Sequence, residues 1–494
     1  MDGSTRLAAL ALLATLGMAA QAAVAQASQR ARTPSSLAAA AASAAAAATG
    51  ATVTISPLPG TATALPKTQI SFLGAAASAL SAISVVGSHS GRHSGSVRSY
   101  VSATGASFVP RSAFQPGEHV TVHATWASSP STHRTLSDEF MIARPSEAPP
   151  AELAATPGTP ADVQSFQSRP ELQPPTVTIR QPASADVAPG YLLATPSLGP
   201  GQHGPMIFDN AGELVWFDPL AEGEDAADLQ TQAFHGKNDL TWWQGRALAG
   251  GYGVGADVIA NANYKTVAVV KAGNGLQADG HEFTLTPEGS AYVTAYSPVR
   301  ASTSSAGTPP SSATLDCVVQ QIDVHTGLVM REWHSLAHDT PPVPCLPSPT
   351  GEWPAVQALA NGGSIAATGE PPSFIEHDAH GQLSFEAQLP SGERDYRVYR
   401  EPWAAQPSEP PAISARTSAG VTAVYASWNG ATTVTAWQLS TGSSARHLTA
   451  ASTTPKSGFE TTIPSPSAAY VQVRALSASG KVLAASKAIR PAGA

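Results

Sequence analysis

Charge is scarce in this chain. Asp, Glu, Lys and Arg make up 13% of its 494 residues, and the formal net charge of -8 is spread without a basic stripe. Binding to nucleic acid needs such a stripe to neutralise phosphates, so DNA and RNA are excluded as expected partners. Apolar runs long enough to span a bilayer are missing too: Leu7–Ala20 falls short of the roughly 20 residues required, and no later segment reaches that length. Cysteine is limited to Cys317 and Cys345, so at most one intramolecular bridge can form. Aromatics are only 6%, whereas 41 glycines and 42 prolines are present. Together these two types stay below the roughly 25–30% of unstructured Pro/Gly sequence, so most of the chain is expected to fold, as short strands joined by turns. On length alone about three domains are expected.

At the N-terminus stand Arg6, the apolar run Leu7–Ala20, and small residues in Ala23-Val24-Ala25 and Ala25-Gln26-Ala27. This is the form of a cleavable secretory signal over 1–27, with a retained anchor helix as the competing reading. The mature protein is expected to be secreted, extracellular or periplasmic. Export brings Cys317 and Cys345 into an oxidising compartment with 27 residues between them. A bridge requires their Cα atoms within about 7 Å. It would clip one loop, contribute about 2–4 kcal/mol and carry no redox role.

Residues 28–50 are nearly all Ala and Ser and read as a tether. From 51 to 144, runs such as VTISPL, TQISFLG and FQPGEHVTVHATW alternate between Pro, Gly and Ser breaks, as in an immunoglobulin-like sandwich with Val120 and Val122 turned inward. Residues 145–173 are a Pro-rich linker. Hairpins of one design then recur over 174–404: MIFDNAGELVWFDP, FTLTPEGSAYVTAY, QQIDVHTGLVMREW, ALANGGSIAATG and IEHDAHGQLSFEAQL. Gly212, Gly289, Gly327, Gly362 and Gly381 stand where such turns need positive φ. Repeated hairpins at roughly 40–50 residues per unit read as blades of a β-propeller, here four to five. The segment 411–494 alternates again and reads as a fibronectin type III-like sandwich with Trp428 in its core and Tyr470 at a corner. The expected fold class is all-β throughout.

The pieces RPELQPPTVTI, LTWWQG, AGNG, DGHEFTLTPEGSAYVTAY and DYRVYREPW together resemble the secreted aryl sulfotransferase family over roughly Arg169 to Trp403. The resemblance implies transfer of a sulfuryl group from an aryl sulfate to a phenol without a nucleotide donor or other cofactor. Histidines and an arginine at the propeller axis would carry it. His281, in Asp279-Gly280-His281-Glu282-Phe283, matches a family functional histidine and is the catalytic candidate. A histidine satisfying backbone in a turn is the competing reading. After Glu332-Trp333-His334-Ser335-Leu336 the family continues into further histidine-bearing blades, whereas this chain passes through AHDTPPVPCLPSPT to what read as its final blades. The sequence thus supports two functions, aryl sulfotransfer or a non-catalytic secreted propeller that binds or adheres through its funnel and sandwiches.

Trp242 and Trp243 are adjacent, so on a strand they face opposite ways, one between blades and the other able to stack on an aryl ring. Arg246 and Asn274 read as turn residues able to meet a sulfate, with surface turn as the competing reading. Other patterns have plainer explanations. His377-Asp378 falls in a hairpin turn. His334 and His338 have a metal-compatible spacing, but prolines at 341, 342 and 344 predict no helix to hold them, and no metal is expected. His89 and His93 read as a solvated loop. Gly251-Tyr252-Gly253-Val254-Gly255 lacks the following helix of a dinucleotide site and reads as a hairpin. Ile322-Asp323-Val324-His325-Thr326-Gly327 with Trp333 could belong to a quinone propeller but reads as packing.

Overall fold

Strand periodicity governs the structure, a computed structural model that describes residues 52–151, 158–300, 313–338, 355–368 and 371–493. The signal-like segment, the tether and Cys345 lie outside the described residues. Within them the chain is all-β, built of eight small, mostly antiparallel sheets, the majority four-stranded.

Two of these sheets form the N-terminal module. One contains Thr54–Ser56, Ile70–Leu73, Gly105–Pro110 and Gly95–Ser99, and the other Gly91–Arg92, Leu80–Gly87, His119–Ser129 and Thr132–Met141. Along His119–Ser129 every second residue, Val120, Val122, Ala124 and Trp126, is buried, the period of two that a half-buried strand imposes. Both valines expected to face inward therefore do so. The segment after this module is not free of the sheets. Arg144–Pro145 pairs with the strand Ser290–Arg300, and Ala151 bridges to Leu248.

Four further sheets occupy the middle of the chain. The first contains Tyr191–Ala194, Met206–Phe208 and Leu214–Phe217; the second contains Asp225–Phe234, Lys237–Leu248, Tyr252–Ala260 and Thr266–Val270. The third contains Phe283–Leu285, Ser290–Arg300, Ala313–Asp323 and Val329–His334, and the fourth Val356–Ala358, Ser364–Thr368, Ser373–His377 and Leu383–Gln388. Two exchanges of strands link the first and fourth sheets. Thr178–Gln181, before the first sheet in sequence, pairs with Leu383–Gln388 of the fourth, and Tyr399–Glu401, after the fourth, pairs with Tyr191–Ala194 of the first.

The hairpin turns have a common cause. Gly212, Gly289, Gly362 and Gly381 all have φ between 77° and 91°, which glycine adopts without steric cost. In each of these turns the glycine N–H donates to the carbonyl three residues earlier, at Asp209, Thr286, Leu359 or Asp378. Gly327, at φ 69°, closes a turn one residue longer onto Asp323. GYGVG lies at the start of the strand Tyr252–Ala260, so the hairpin reading holds. Ser335–His338 is a single helical turn, where the prolines had predicted none. They follow it in sequence and so leave this turn intact.

The C-terminal module again has two sheets, Ala412–Ser418, Val421–Ser427, Glu460–Pro466 and Ala492–Gly493 in one, and Ala436–Ser444, His447–Pro455, Tyr470–Leu476 and Val482–Ala485 in the other. Trp437, fully buried, shares their common core with Trp428. Tyr470 is held at the edge by Arg490, whose Nε donates to the phenol oxygen at 2.7 Å.

Candidate functional site

The inner strands of the first, second and third central sheets touch one another, Asp225–Phe234 lying against both Tyr191–Ala194 and Phe283–Leu285. Where they meet, charged and phenolic side chains collect. A register shift between Ala227 and Gln230 puts Asp228 at a bulge with φ 59°, a strained conformation for a residue other than glycine. From there its carboxylate reaches Arg397, in the segment that leads into Tyr399–Glu401.

Arg397 is the hub. Its Nη1 donates to Asp228 Oδ1 at 3.0 Å, Glu282 Oε2 at 3.2 Å and the Tyr399 hydroxyl at 2.7 Å, while Nη2 donates to the Tyr396 hydroxyl at 3.3 Å. The guanidinium carbon also lies 5.0 Å from the Tyr396 ring centre, in cation–π range. Burial pushes the Asp228 carboxyl up to about 7, against the opposing field of Arg397. Asp257, fully buried on the third strand of the second sheet, has no hydrogen-bond partner at either oxygen among the described residues. Burial, with the charges of Asp228 and Asp279, holds its pKa well above the usual carboxylate range. Burial without a partner favours the neutral form of a carboxyl group.

His281 stands in the loop that enters the third sheet. The neighbouring Asp279 is fixed by the Gly253 N–H at 2.6 Å on Oδ1 and the His281 N–H at 3.0 Å on Oδ2, and Oδ2 also faces His281 Nδ1 at 2.5 Å. Tyr296 and Tyr396 flank the imidazole edge-on, with ring centres 5.7 and 4.9 Å away. Burial alone would lower the histidine pKa, but the hydrogen bond and charge of Asp279 outweigh it and leave it raised. With 30% of its side chain exposed and Nδ1 engaged, His281 has Nε2 left for chemistry.

The other sequence candidates have different places. Trp242 and Trp243 do face opposite ways, and both are buried, at 4% and 3% exposure. Trp242 packs with Trp216 and Trp403 between the first and second sheets, and Trp243 packs between the second and third, its Nε1 donating to Ala278 O at 2.8 Å. Neither ring is free to stack on a ligand. Arg246 lies within the strand Lys237–Leu248, exposed, rather than in a turn. Asn274 has φ 60°, and both ends of its side-chain amide are engaged: Oδ1 accepts from the Gln69 N–H at 3.0 Å and Nδ2 donates to Glu332 Oε2 at 2.8 Å. It thus joins the N-terminal module to the third sheet. Cys317 is disulfide-bonded.

His334, at 0% exposure, belongs to the same junction. Its Nδ1 faces Asp316 Oδ2 at 2.7 Å and Thr63 Oγ1 at 3.1 Å, and its Nε2 faces Glu332 Oε1 at 3.0 Å. His377 ends a strand and Asp378 caps the following turn by accepting the His380 and Gln382 N–H groups. His93 is buried rather than solvated, its Nε2 2.7 Å from Ser90 Oγ and its Nδ1 3.2 Å from Ser112 O. Glu118 holds that loop together by accepting the N–H groups of His89 and Ser90 at 2.9 Å each. Among the described residues no group of three or more His, Cys, Asp or Glu side chains is arranged to hold a metal ion.

Sequence reasoning named His281 as a candidate and assigned no role to Tyr396, which packs against it, or to Arg397 and Asp228, whose charges act on it. The first two lie within DYRVYREPW, more than a hundred residues downstream, so their signal was present as a motif without an assigned role.

A family model described as Arylsulfotransferase (ASST) matches residues 230–341. That span includes Asp257, Asp279, His281 and Glu282 and leaves out Asp228, Tyr396, Arg397 and Tyr399. No curated protein matches the chain. Among solved structures, the surface layer protein SbsC, domains 1-6, is similar at 11% identity over 88% of this chain and 59% of that one, with a TM-score of 0.16. The S-layer protein rSbsC(31-844) is similar at 12% identity over 86% and 57%, with a TM-score of 0.14. This chain spans less than two thirds of either, and likeness at such TM-scores carries no argument.

Proposed function

We propose that this is an exported, arylsulfotransferase-related protein in which the four central sheets make a small closed propeller between an immunoglobulin-like and a fibronectin type III-like sandwich. The exchange of end strands between first and fourth sheets supports the propeller reading, because it is how a ring of sheets avoids open edges. At its centre the protein would transfer a sulfuryl group from an aryl sulfate to a phenol. One observation carries this reading: His281 is held through Nδ1 by a fixed, buried Asp279, with Nε2 left free beside the Arg397 and tyrosine cluster.

In its protonated form His281 would give its Nε2 proton to the leaving phenolate oxygen as the S–O bond breaks. The acceptor phenol would form the new S–O bond and return its own proton to Nε2, so the enzyme ends as it began. Asp279 would orient the ring and stabilise the imidazolium, while Tyr296 and Tyr396 would border the aryl groups. A second reading, a non-catalytic binder, is favoured by a different observation. Arg397 is already neutralised by Asp228 and Glu282, and His281 is the one histidine in contact with the cluster among the described residues.

Release of nitrophenol from 4-nitrophenyl sulfate in the presence of phenol separates the two. His281→Ala is expected to lower turnover by about 10²–10⁴-fold, the usual contribution of a positioned acid–base, and Asp279→Asn to lower it less. A folded wild type without turnover would leave the binding reading. Equal turnover in wild type and His281→Ala would remove His281 from the reaction.

A further inference from the structure

A cleft of about 420 Å³ opens between the first central sheet and the C-terminal module, and no residue of the His281 cluster lines it. Two turns face each other across it. The hairpin turn after Met206–Phe208 presents Asp209 and Glu213, and the turn between His447–Pro455 and Glu460–Pro466 presents Lys456. The joint beside the cleft fixes its two walls: Asn429 Oδ1 accepts the Phe217 N–H at 3.0 Å, Asn429 Nδ2 donates to Phe217 O at 2.8 Å, and the Gly430 N–H donates to Val215 O at 2.8 Å. Small-molecule sites of a few hundred Å³ concentrate at such interfaces between modules.

The charges around the cleft are of both signs and unmatched. Lys456 is half-buried, and its ammonium makes no ion pair among the described residues. Burial lowers its pKa, and the charges of Asp209 and Glu213 oppose that without making it up. Acting from beyond ion-pair distance, they do not replace the hydration that the ammonium loses. Asp209 spends Oδ1 on the Ala211 and Glu213 N–H groups at 2.8 and 3.1 Å, which leaves its other oxygen for a further donor. Glu213 is exposed, and its carboxylate reaches across to the turn that carries Lys456: a Cβ added at Gly458 would lie 2.7 Å from Glu213 Oε2. A ligand with only a negative charge would meet Lys456 and be repelled by two carboxylates, and one with only a positive charge would leave Lys456 unmatched. A zwitterion satisfies both signs. Tyr191 and Val215, both half-buried, add an apolar wall.

We propose that this cleft binds a small zwitterion, an α-amino acid with an apolar side chain, which sets its carboxylate on Lys456, its ammonium on Asp209 and Glu213, and its side chain against Tyr191 and Val215. The site is separate from His281 chemistry and is tested by binding alone. Calorimetric titration of the full chain with L-phenylalanine is compared with N-acetyl-L-phenylalanine, which keeps only the negative charge, with L-phenylalaninamide, which keeps only the positive one, and with glycine, which keeps both and lacks the side chain. Phenylalanine is expected to bind about tenfold or more tighter than each single-charge analogue, the worth of one charge-assisted hydrogen bond, and tighter than glycine. Lys456→Gln should weaken phenylalanine about fivefold or more without weakening phenylalaninamide, and Glu213→Gln should weaken phenylalanine without weakening the N-acetyl form. His281→Ala should bind as the wild type does. No saturable binding, phenylalanine no tighter than its single-charge analogues or glycine, or equal binding by wild type and Lys456→Gln overturns the proposal. Because each replacement removes a charge that makes no ion pair among the described residues, the fold stays in place, and a failed transfer assay would leave this result standing.

Discussion

Trp243 explains the glycines around it. A Cβ added at Gly253 would lie 2.5 Å from its Cζ2, at Gly245 2.7 Å from the same atom, and at Gly280 3.0 Å from Cε3. Gly245, Gly253 and Gly280 thus each leave room for this one indole, and Gly253 also donates the N–H that fixes Asp279. Gly253→Ala is expected to destabilise by about 1–3 kcal/mol through overpacking and to lower any His281-dependent turnover by shifting Asp279. In a Trp243→Leu background its cost should shrink, giving a coupling above about 1 kcal/mol between residues in direct contact. Strictly additive losses in urea denaturation would refute this account. The sequence showed that these residues belong together and that the two tryptophans part company, because alternation on a strand is a local property. It did not show that both rings would be buried, nor that His93 would be, because burial depends on which sheets meet.

At the level of strands, hairpins were legible and long-range pairing was not. Turn glycines act within five residues, so Gly212, Gly289, Gly327, Gly362 and Gly381 could be read directly. The pairing of Tyr399–Glu401 with Tyr191–Ala194 spans some two hundred residues and leaves no local pattern. Its chemical lock is Arg400, whose Nε donates to Glu376 of the fourth sheet at 2.5 Å while Nη1 donates to Asn210 at 2.7 Å and Gly190 O at 3.2 Å. Both ends of the Arg400–Glu376 pair are fully desolvated, and Glu376 also accepts the Ala188 N–H. Removing one member leaves a buried charge alone, so Arg400→Ala should cost about 3–5 kcal/mol. The double change Arg400→Met with Glu376→Gln should cost less than the single one, since no unpaired charge remains. A double variant less stable than Arg400→Ala would show that the pair holds these strands by something other than its charge.

Across the whole molecule, the N-terminal module is joined to the third central sheet by two small apolar clusters, Leu65 and Ala143 with Val299 and Leu336 and Tyr100 with Leu328 and Met330, and by a set of buried polar groups. Glu332 N–H donates to Ser56 Oγ at 2.8 Å, Asp323 Oδ2 accepts the Val101 and Ser102 N–H groups at 2.8 Å each, and His334 sits between Asp316, Glu332 and Thr63. Burial would lower the His334 pKa, but the two carboxylates overcome that and raise it to about 9. A folded value above the unfolded one of about 6.5 means that the stabilisation is complete below that unfolded value and is lost as pH rises through about 9. The amount is on the order of 3 kcal/mol. Glu332 works in the opposite sense. Burial opposes its charge, but His334, Gln320 and Asn274 outweigh that and lower its pKa, so its contribution is lost on the acid side. Urea midpoints should therefore fall between pH 7 and pH 10 in the wild type. His334→Gln should start lower and fall less over the same range, because the group that titrates is gone. Parallel pH profiles for the two proteins would show that His334 does not hold the modules together through its charge.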